Sequence, residues 1–249
     1  MTMAKSVQLS NGREWKTQKG AEEHFRAIRD RHPLRTPIDD AQDHDDLLAL
    51  LVRYDAAHSE EESKIGCGVD YFDVRMNWGT GGATKGFWVV RTDGSETDFS
   101  FLWAVKGTPK PEHQEFVDAC RAAVMDDLHA AKRRFFAEHG DAHGRVPCEI
   151  SGLLVTLDEA HTDHAYPAFG ALVVSFKAAR LWHRDLPAGV LSRSQDGQTT
   201  TTFVDPEVVQ AFREFHHAAA TLRVIAKGEN LSLAAGQRRP KIARPLRVE

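Results

Sequence analysis

Apolar residues recur along this chain at two different periods. Ala21, Phe25 and Ile28 fall at helical spacing within residues 14–31, a helix entered through Thr17. Leu47, Leu48, Leu50, Leu51 and Tyr54 mark a second helix behind an acidic stretch, Asp39 to Asp46. From Lys64 the period shortens toward strands. Ile65 to Val74 alternates loosely, Phe87 to Arg91 is rich in strand formers, and Thr97 to Trp103 places Phe99, Phe101 and Trp103 on one sheet face. Phe116, Cys120, Val124, Leu128, Ala131 and Phe135 then give the strongest helix, Glu112 to His139, ended by Gly140. A turn over Arg145 to Gly152 precedes an apolar strand, Leu153 to Leu157, read as part of a β-hairpin leading to His161. Phe169, Leu172, Val173 and Phe176 stripe a helix after Pro167. Asp205-Pro206 starts another that runs through His217, because aspartate suits the cap and proline the first turn. Leu222 to Ile225 reads as a short strand, and Ala226 to Ala235 as a turn and helix.

The punctuation between these elements sets the organisation. Asp93-Gly94 supplies the positive φ of a tight turn, so the strands flanking it form a hairpin. Gly79 to Lys85 reads as a mobile loop, since it lacks the G-x-x-x-x-G-K-[ST] order of a phosphate cradle and no helix follows. The acidic stretch lacks the glycine and distal glutamate of a calcium loop, and acids opening a helix are favoured by its dipole. Pro109 and Pro111 mark a boundary, giving a first domain at 1–107, a connecting helix at 108–140 and a second domain at 141–249. Asp185, Pro187, Gly189 and the polar run Gln195 to Thr202 read as surface excursions. The tail from Gln237 to Arg247 carries five basic residues. It either solubilises the chain or follows a phosphate backbone through residues such as Arg238 and Arg239.

Composition narrows the class. With 249 residues, 41% hydrophobic and 27% charged, the chain has room for one or two ordinary cores. A formal charge of -4 does not attract a polyanion by itself, so any nucleic-acid contact relies on local basic surface. Cys67, Cys120 and Cys148 are odd in number and form no C-x-x-C pair, as expected of reduced thiols in a cytoplasm. The absence of a signal core or a long apolar run makes a soluble, cytoplasmic protein with no membrane partner the expectation. There is no G-x-S-x-G elbow, no H-E-x-x-H helix and no G-x-G-x-x-G after a strand.

One stretch packs chemistry densely: Glu159-Ala-His161-Thr-Asp163-His164-Ala-Tyr-Pro167. Phosphodiester hydrolysis needs a base to take a proton from water and a hard cation to offset charge on phosphate and leaving oxygen. Neighbours along a strand face opposite sides, so Asp163 can face a metal while His164 reaches the attacking water. Asn230 is the candidate second ligand. His161, on the strand face of Asp163, is either an added ligand or a partner orienting the site. Arg223 and His217 are candidate nucleic-acid contacts, although a histidine on a helix surface is the commoner state.

Two resemblances sharpen this. Lys64-Ile-Gly-Cys-Gly-Val69-Asp-Tyr-Phe72, Phe87 to Ser95 and Thr97-Asp98-Phe99-Ser100 resemble the defective chloroplasts and leaves family, DUF3223, over residues 14–105. That resemblance implies association with nucleic acid or polymerase and supplies no catalytic residues. A strand ending in Asp163-His164, an insertion, a strand, and a helix bearing Asn230 resemble the ββα-metal (HNH) nucleases, with the recombination endonuclease VII type nearest. This second resemblance implies a single Mg²⁺ or Mn²⁺ held by Asp163 and Asn230, with His164 as general base. Ala226 and Glu229 stand where that family often has a C-x-x-C knuckle, so no structural zinc is inferred. The expectation is an α+β protein: a recognition module followed by an HNH-like endonuclease with a helical insertion, acting on nucleic acid, most simply DNA, with a homodimer possible. The alternative is a non-catalytic nucleic-acid-binding or polymerase-associated protein whose nuclease fold has decayed.

Overall fold

The computed structural model describes residues 5–59, 61–79, 82–193, 195–196, 198 and 200–232, with backbone alone at 78–79, 82 and 230–232. The chain divides into two units, Met1–Glu115 with Arg193–Thr201, and Phe116–Ser192 with Thr202–Glu249. The long helix is therefore no separate connector. From Phe116 onward it belongs to the second unit, whereas the polar run at 193–201 joins the first, which nothing local in the sequence signals.

The first unit opens with a small antiparallel pair, β1 (Val7–Gln8) and β2 (Glu14–Trp15). Two helices follow, α1 (Gln18–Arg31) and α2 (Ala41–Ala57). The Thr17 hydroxyl accepts from the Gly20 amide, and the Asp40 carboxylate accepts from Gln42 and Asp43, so each helix meets its free first-turn donors with a side chain. An antiparallel meander comes next: β3 (Val69–Gly79), β4 (Gly82–Arg91) and β5 (Glu96–Phe99). A short helix, α3 (Phe101–Lys106), closes the unit's main run. Ala21, Phe25 and Ile28 of α1 pack with Leu47, Leu50 and Leu51 of α2 on Phe72, Val74, Phe87, Val89 and Phe99 of the sheet. Each Val, Leu, Ile or Phe side chain so buried contributes about 1.5–3 kcal/mol, and this core holds the unit together.

Three strand expectations change here. Residues 79 and 82–85 are strand, because the β3–β4 ladder runs in register to Gly79 and Gly82. β5 stops at Phe99: Phe101, Ala104 and Val105 point to the core at helical spacing, and Gly107 at φ 63 ends the turn. β3 begins at Val69, since Ile65 to Gly68 is a turn with both Gly66 and Gly68 at positive φ.

The acidic stretch proves to be interior wiring. Asp46, fully buried, accepts from Arg13, Asn11 and His24 at 2.8 Å each. Asp43 meets Arg31 and, at 2.7 Å, His32. Burial pushes both carboxyls up, but the Arg, His and Asn hydrogen bonds outweigh it and hold them below the ordinary carboxylate range.

The second unit contains α4 (Glu112–His139) from Phe116 onward, β6 (Val146–Pro147), β7 (Leu154–Val155), β8 (Ala160–Tyr166), α5 (Phe169–Ala179), α6 (Pro206–Ala219), β9 (Thr221–Ala226) and α7 (Lys227–Ser232). β6 and β7 form their own two-residue pair, so the expected hairpin leading into His161 is not the partner of β8. β8 pairs instead with β9, antiparallel, with α5 and α6 inserted between them. Phe116, Cys120 and Val124 of α4 pack with Val173 and Phe176 of α5 and Val208 and Phe212 of α6. Further along α4, Ala131, Phe135 and Phe136 pack under Val146, Val155, Leu222, Val224 and Ile225. One helix thus supports both the insertion and the strand pair. Among the described residues no helix is long and apolar enough to cross a membrane.

Candidate functional site

The β8–β9 register sets Asp163 opposite Arg223 and His164 opposite Leu222, with an irregularity before Tyr166. Side chains directly opposite in an antiparallel pair share a face, so the carboxylate and guanidinium meet. The Nε and Nη2 atoms of Arg223 both lie 2.8 Å from Oδ2 of Asp163, and the two side chains are each 2% exposed. Arg223 is consequently not an exposed phosphate contact. A cation sealed at this depth spends its charge on the carboxylate that neutralises it.

His164 lies on the other face of β8 from Asp163. Its Nε2 is 2.8 Å from Nε2 of His216, a residue of α6 with no exposed surface. Phe169, the first residue of α5, brings its ring centroid to 5.0 Å from that of His164. Burial, with His164 and His217 adding to it, pushes His216 down to about 3, so its imidazole is neutral at physiological pH. The spacing Val208, Phe212, His216 carries the signal: three residues four apart lie on the inward stripe of α6. His217, one residue on, turns away to Asp127 at 3.3 Å, and Arg213 holds the same carboxylate at 2.6–2.7 Å. His217, named from the sequence as a candidate nucleic-acid contact, is thus tied to a carboxylate on α4, whereas His216, which the sequence did not single out, faces β8.

His161 shares the face of Asp163. Burial lowers its pKa, with Lys227 and Lys132 adding to the effect. Lys132 also donates to the Ala160 carbonyl at 2.8 Å and so anchors the start of β8 on α4.

β9 runs directly into α7, which lies against both strands. The backbone of Asn230 is part of α7; its side chain lies outside the described residues, as do Arg238 and Arg239 entirely. Cys148 steadies this junction. Its sulfur accepts from the Ala226 amide at 3.2 Å, and the Glu149 amide donates to the Val224 carbonyl at 3.0 Å. Among the described residues no three His, Cys, Asp or Glu side chains cluster as a metal site.

In the first unit, the Lys64 and Arg91 of the sequence motif are buried cations. Arg91 grips Asp196 at 2.7 and 3.2 Å, and Lys64 donates to the Thr97 hydroxyl at 2.9 Å. Gly66 makes room for this, since a Cβ there would sit 2.7 Å from Nε of Arg91.

The molecule is thus an α+β protein whose second unit carries a strand bearing Asp163-His164, a helical insertion, a paired strand and a helix. Residues 26–105, within the first unit, match the model of the family described as "Protein of unknown function (DUF3223)". The solution NMR structure of an uncharacterized protein from Rhodospirillum rubrum is 30% identical, over 42% of this chain and 91% of that one, with a TM-score of 0.34. No curated protein matches the chain.

Proposed function

We propose that this protein is a metal-dependent endonuclease of the HNH type that hydrolyses phosphodiester bonds in DNA, its DUF3223 part serving recognition. The observation that carries the reading is the element order around one dipeptide. Asp163-His164 sits near the end of β8, which pairs with β9, which runs straight into the helix bearing Asn230.

An aspartate carboxylate and an asparagine amide oxygen are hard donors of the kind Mg²⁺ or Mn²⁺ accepts, and Mg²⁺ is commonly held by one or two carboxylates plus substrate phosphate. Asp163 and Asn230 would hold the cation, which when bound offsets negative charge building on phosphate and the leaving oxygen. Arg223 fixes the rotamer of Asp163 through the two 2.8 Å contacts, so the carboxylate is oriented before any ligand arrives. His164 accepts the proton of the attacking water as the water oxygen bonds to phosphorus and the bond to the 3′ oxygen breaks. Lys132 and Lys227, near His161, give the site a positive flank for the DNA backbone.

The depth of the Asp163–Arg223 pair favours a second reading, in which these residues only hold the strands together and the protein binds nucleic acid or polymerase without cutting. Incubating the purified chain with plasmid, modified and branched DNA in Mg²⁺ or Mn²⁺ separates the two. The nuclease reading expects cleavage that EDTA abolishes and that His164→Ala reduces by about 10²–10⁴. Absence of cleavage by wild type, or equal cleavage by His164→Ala, removes it.

A further inference from the structure

We infer that Lys64 and Arg91 of the first unit form a binding site for a phosphomonoester dianion, in which the carboxylate of Asp196 sits as a built-in stand-in. Such a site gives the recognition part of the proposed function a chemical target and does not depend on the nuclease site.

Arg91 carries five N–H donors, and residues 63–95 hold three of them. Its Nε donates to the Lys64 carbonyl at 3.1 Å, Nη1 to the Ser95 hydroxyl at 3.1 Å and Nη2 to the Ser63 carbonyl at 3.5 Å. Gly66, at φ 54, lets the backbone close on this side chain. One N–H on each terminal nitrogen is left over, and together they make a fork set for a two-oxygen anion. Asp196 fills that fork, 2.7 Å from Nη1 and 3.2 Å from Nη2.

Receptor and occupant have different origins. Ser63, Lys64, Arg91, Ser95 and Thr97 lie inside the span that matches the DUF3223 model, residues 26–105, whereas Asp196 comes from 105 positions beyond Arg91, within the same unit. The Lys64 and Arg91 side chains are 6% and 8% exposed, but that of Asp196 is 44% exposed. A half-exposed acid can turn out to water at small cost, leaving the fork in place. Asp93 and Asp98 also face the two cations, yet Asp93 accepts from the Ser95 hydroxyl at 2.7 Å and Asp98 from the Asn77 amide at 3.1 Å.

The fit of Asp196 is incomplete, and the gap points to the ligand. Lys64 donates to the Thr97 hydroxyl at 2.9 Å, but its Nζ stands 4.0 Å from Oδ1 of Asp196, beyond hydrogen-bond reach. A planar carboxylate has two oxygens, and Arg91 takes both. A phosphomonoester brings further oxygen outside that plane and a second negative charge, which suits an ammonium beside the fork. A salt bridge that only tied down the chain would not account for a second buried cation standing short of it.

The test uses the full chain without divalent metal, at fixed ionic strength. Calorimetric titration with inorganic phosphate is expected to show saturable binding, tightened about 5-fold in Asp196→Asn because the competing charge is gone. Arg91→Lys, which keeps the charge and loses the fork, should weaken it about 10–100-fold. Since a variant of so buried an arginine can unfold, the Arg91 Nε–H resonance of Asp196→Asn in ¹H–¹⁵N NMR gives a second reading and should move to saturation with phosphate. Oligonucleotides of one sequence with 5′-phosphate or 5′-hydroxyl ends separate the sources: tighter binding of the first assigns a nucleic-acid terminus, equal binding a small phosphate compound. No saturable phosphate binding by Asp196→Asn, an Arg91 resonance that stays in place, or tighter binding of acetate than of phosphate overturns the inference. If DNA is cut in Mg²⁺ while phosphate does not bind, the phosphate site falls and the nuclease reading stands.

Discussion

Asp163 and Arg223 face each other across β8 and β9, both guanidinium contacts landing on one carboxylate oxygen at 2.8 Å, in an interior that leaves each side chain 2% exposed. The pair is the electrostatic centre of the two-stranded sheet. Neither partner tolerates being left alone, because an uncompensated charge at that depth has no water to turn to.

Arg223→Met is therefore expected to destabilise the second unit by about 3–5 kcal/mol. The double variant Asp163→Asn with Arg223→Met should recover much of the loss, since no charge then remains in the sheet. Urea denaturation of the four proteins in the cycle reads the coupling. A loss below about 1 kcal/mol in the single variant, the range of exposed pairs, would mean the two side chains are not buried together.

Asp46 and Asp43 make the first unit acid-sensitive. Both carboxyls sit below their ordinary value when folded, so their contribution is fully present above the unfolded pKa of about 3.9 and is lost as pH falls through the lower folded value. Melting temperatures measured from pH 5 down to pH 2 should fall along that window. The gap between wild type and Asp46→Asn should close at the acid end. A gap that stays constant across the range would show that Asp46 keeps no depressed pKa.

The adjacent histidines of α6 should behave oppositely. His217→Ala removes one contact to a carboxylate that Arg213 still holds and is expected to cost about 0–1 kcal/mol. His216→Ala empties a fully buried ring position and should cost about 3 kcal/mol, near the values for buried aromatic truncations. Equal costs, measured by chemical denaturation, would contradict the placement of α6.

Gly66→Ala tests the first unit's buried cations. The backbone is at φ 54, and the new methyl would press on the Arg91 side chain that holds Asp196. A loss of about 1–3 kcal/mol is expected, read as a lower melting temperature. If Asp196→Ala gives no loss of stability either, Arg91 is not tied to the 193–201 segment.

The structure also bears on how much could be read beforehand. Thr17 and Asp205 mark their helices because a cap is a contact within three residues. Phe101 misled because a short apolar run serves strand or helix equally until its neighbours fill one face; here the buried Phe101, Ala104 and Val105 make it helix. Asp163-His164 stood out as reactive residue types side by side, yet nothing around them paired Asp163 with Arg223 or His164 with His216, which lie 60 and 52 residues away.

What the sequence by itself determined is the set of local elements: the amphipathic helices, with their caps at Thr17 and Asp205, and the Asp93-Gly94 hairpin. These follow from side-chain period and turn chemistry, which act between residues a few positions apart. Only the tertiary structure decided that β8 pairs with β9 and not with β7, that Arg223 points inward and His217 outward, and that the segment at 193–201 joins the first unit. Those outcomes depend on which distant surfaces bury one another, and a free energy spread over many remote contacts leaves no mark in any short stretch of chain.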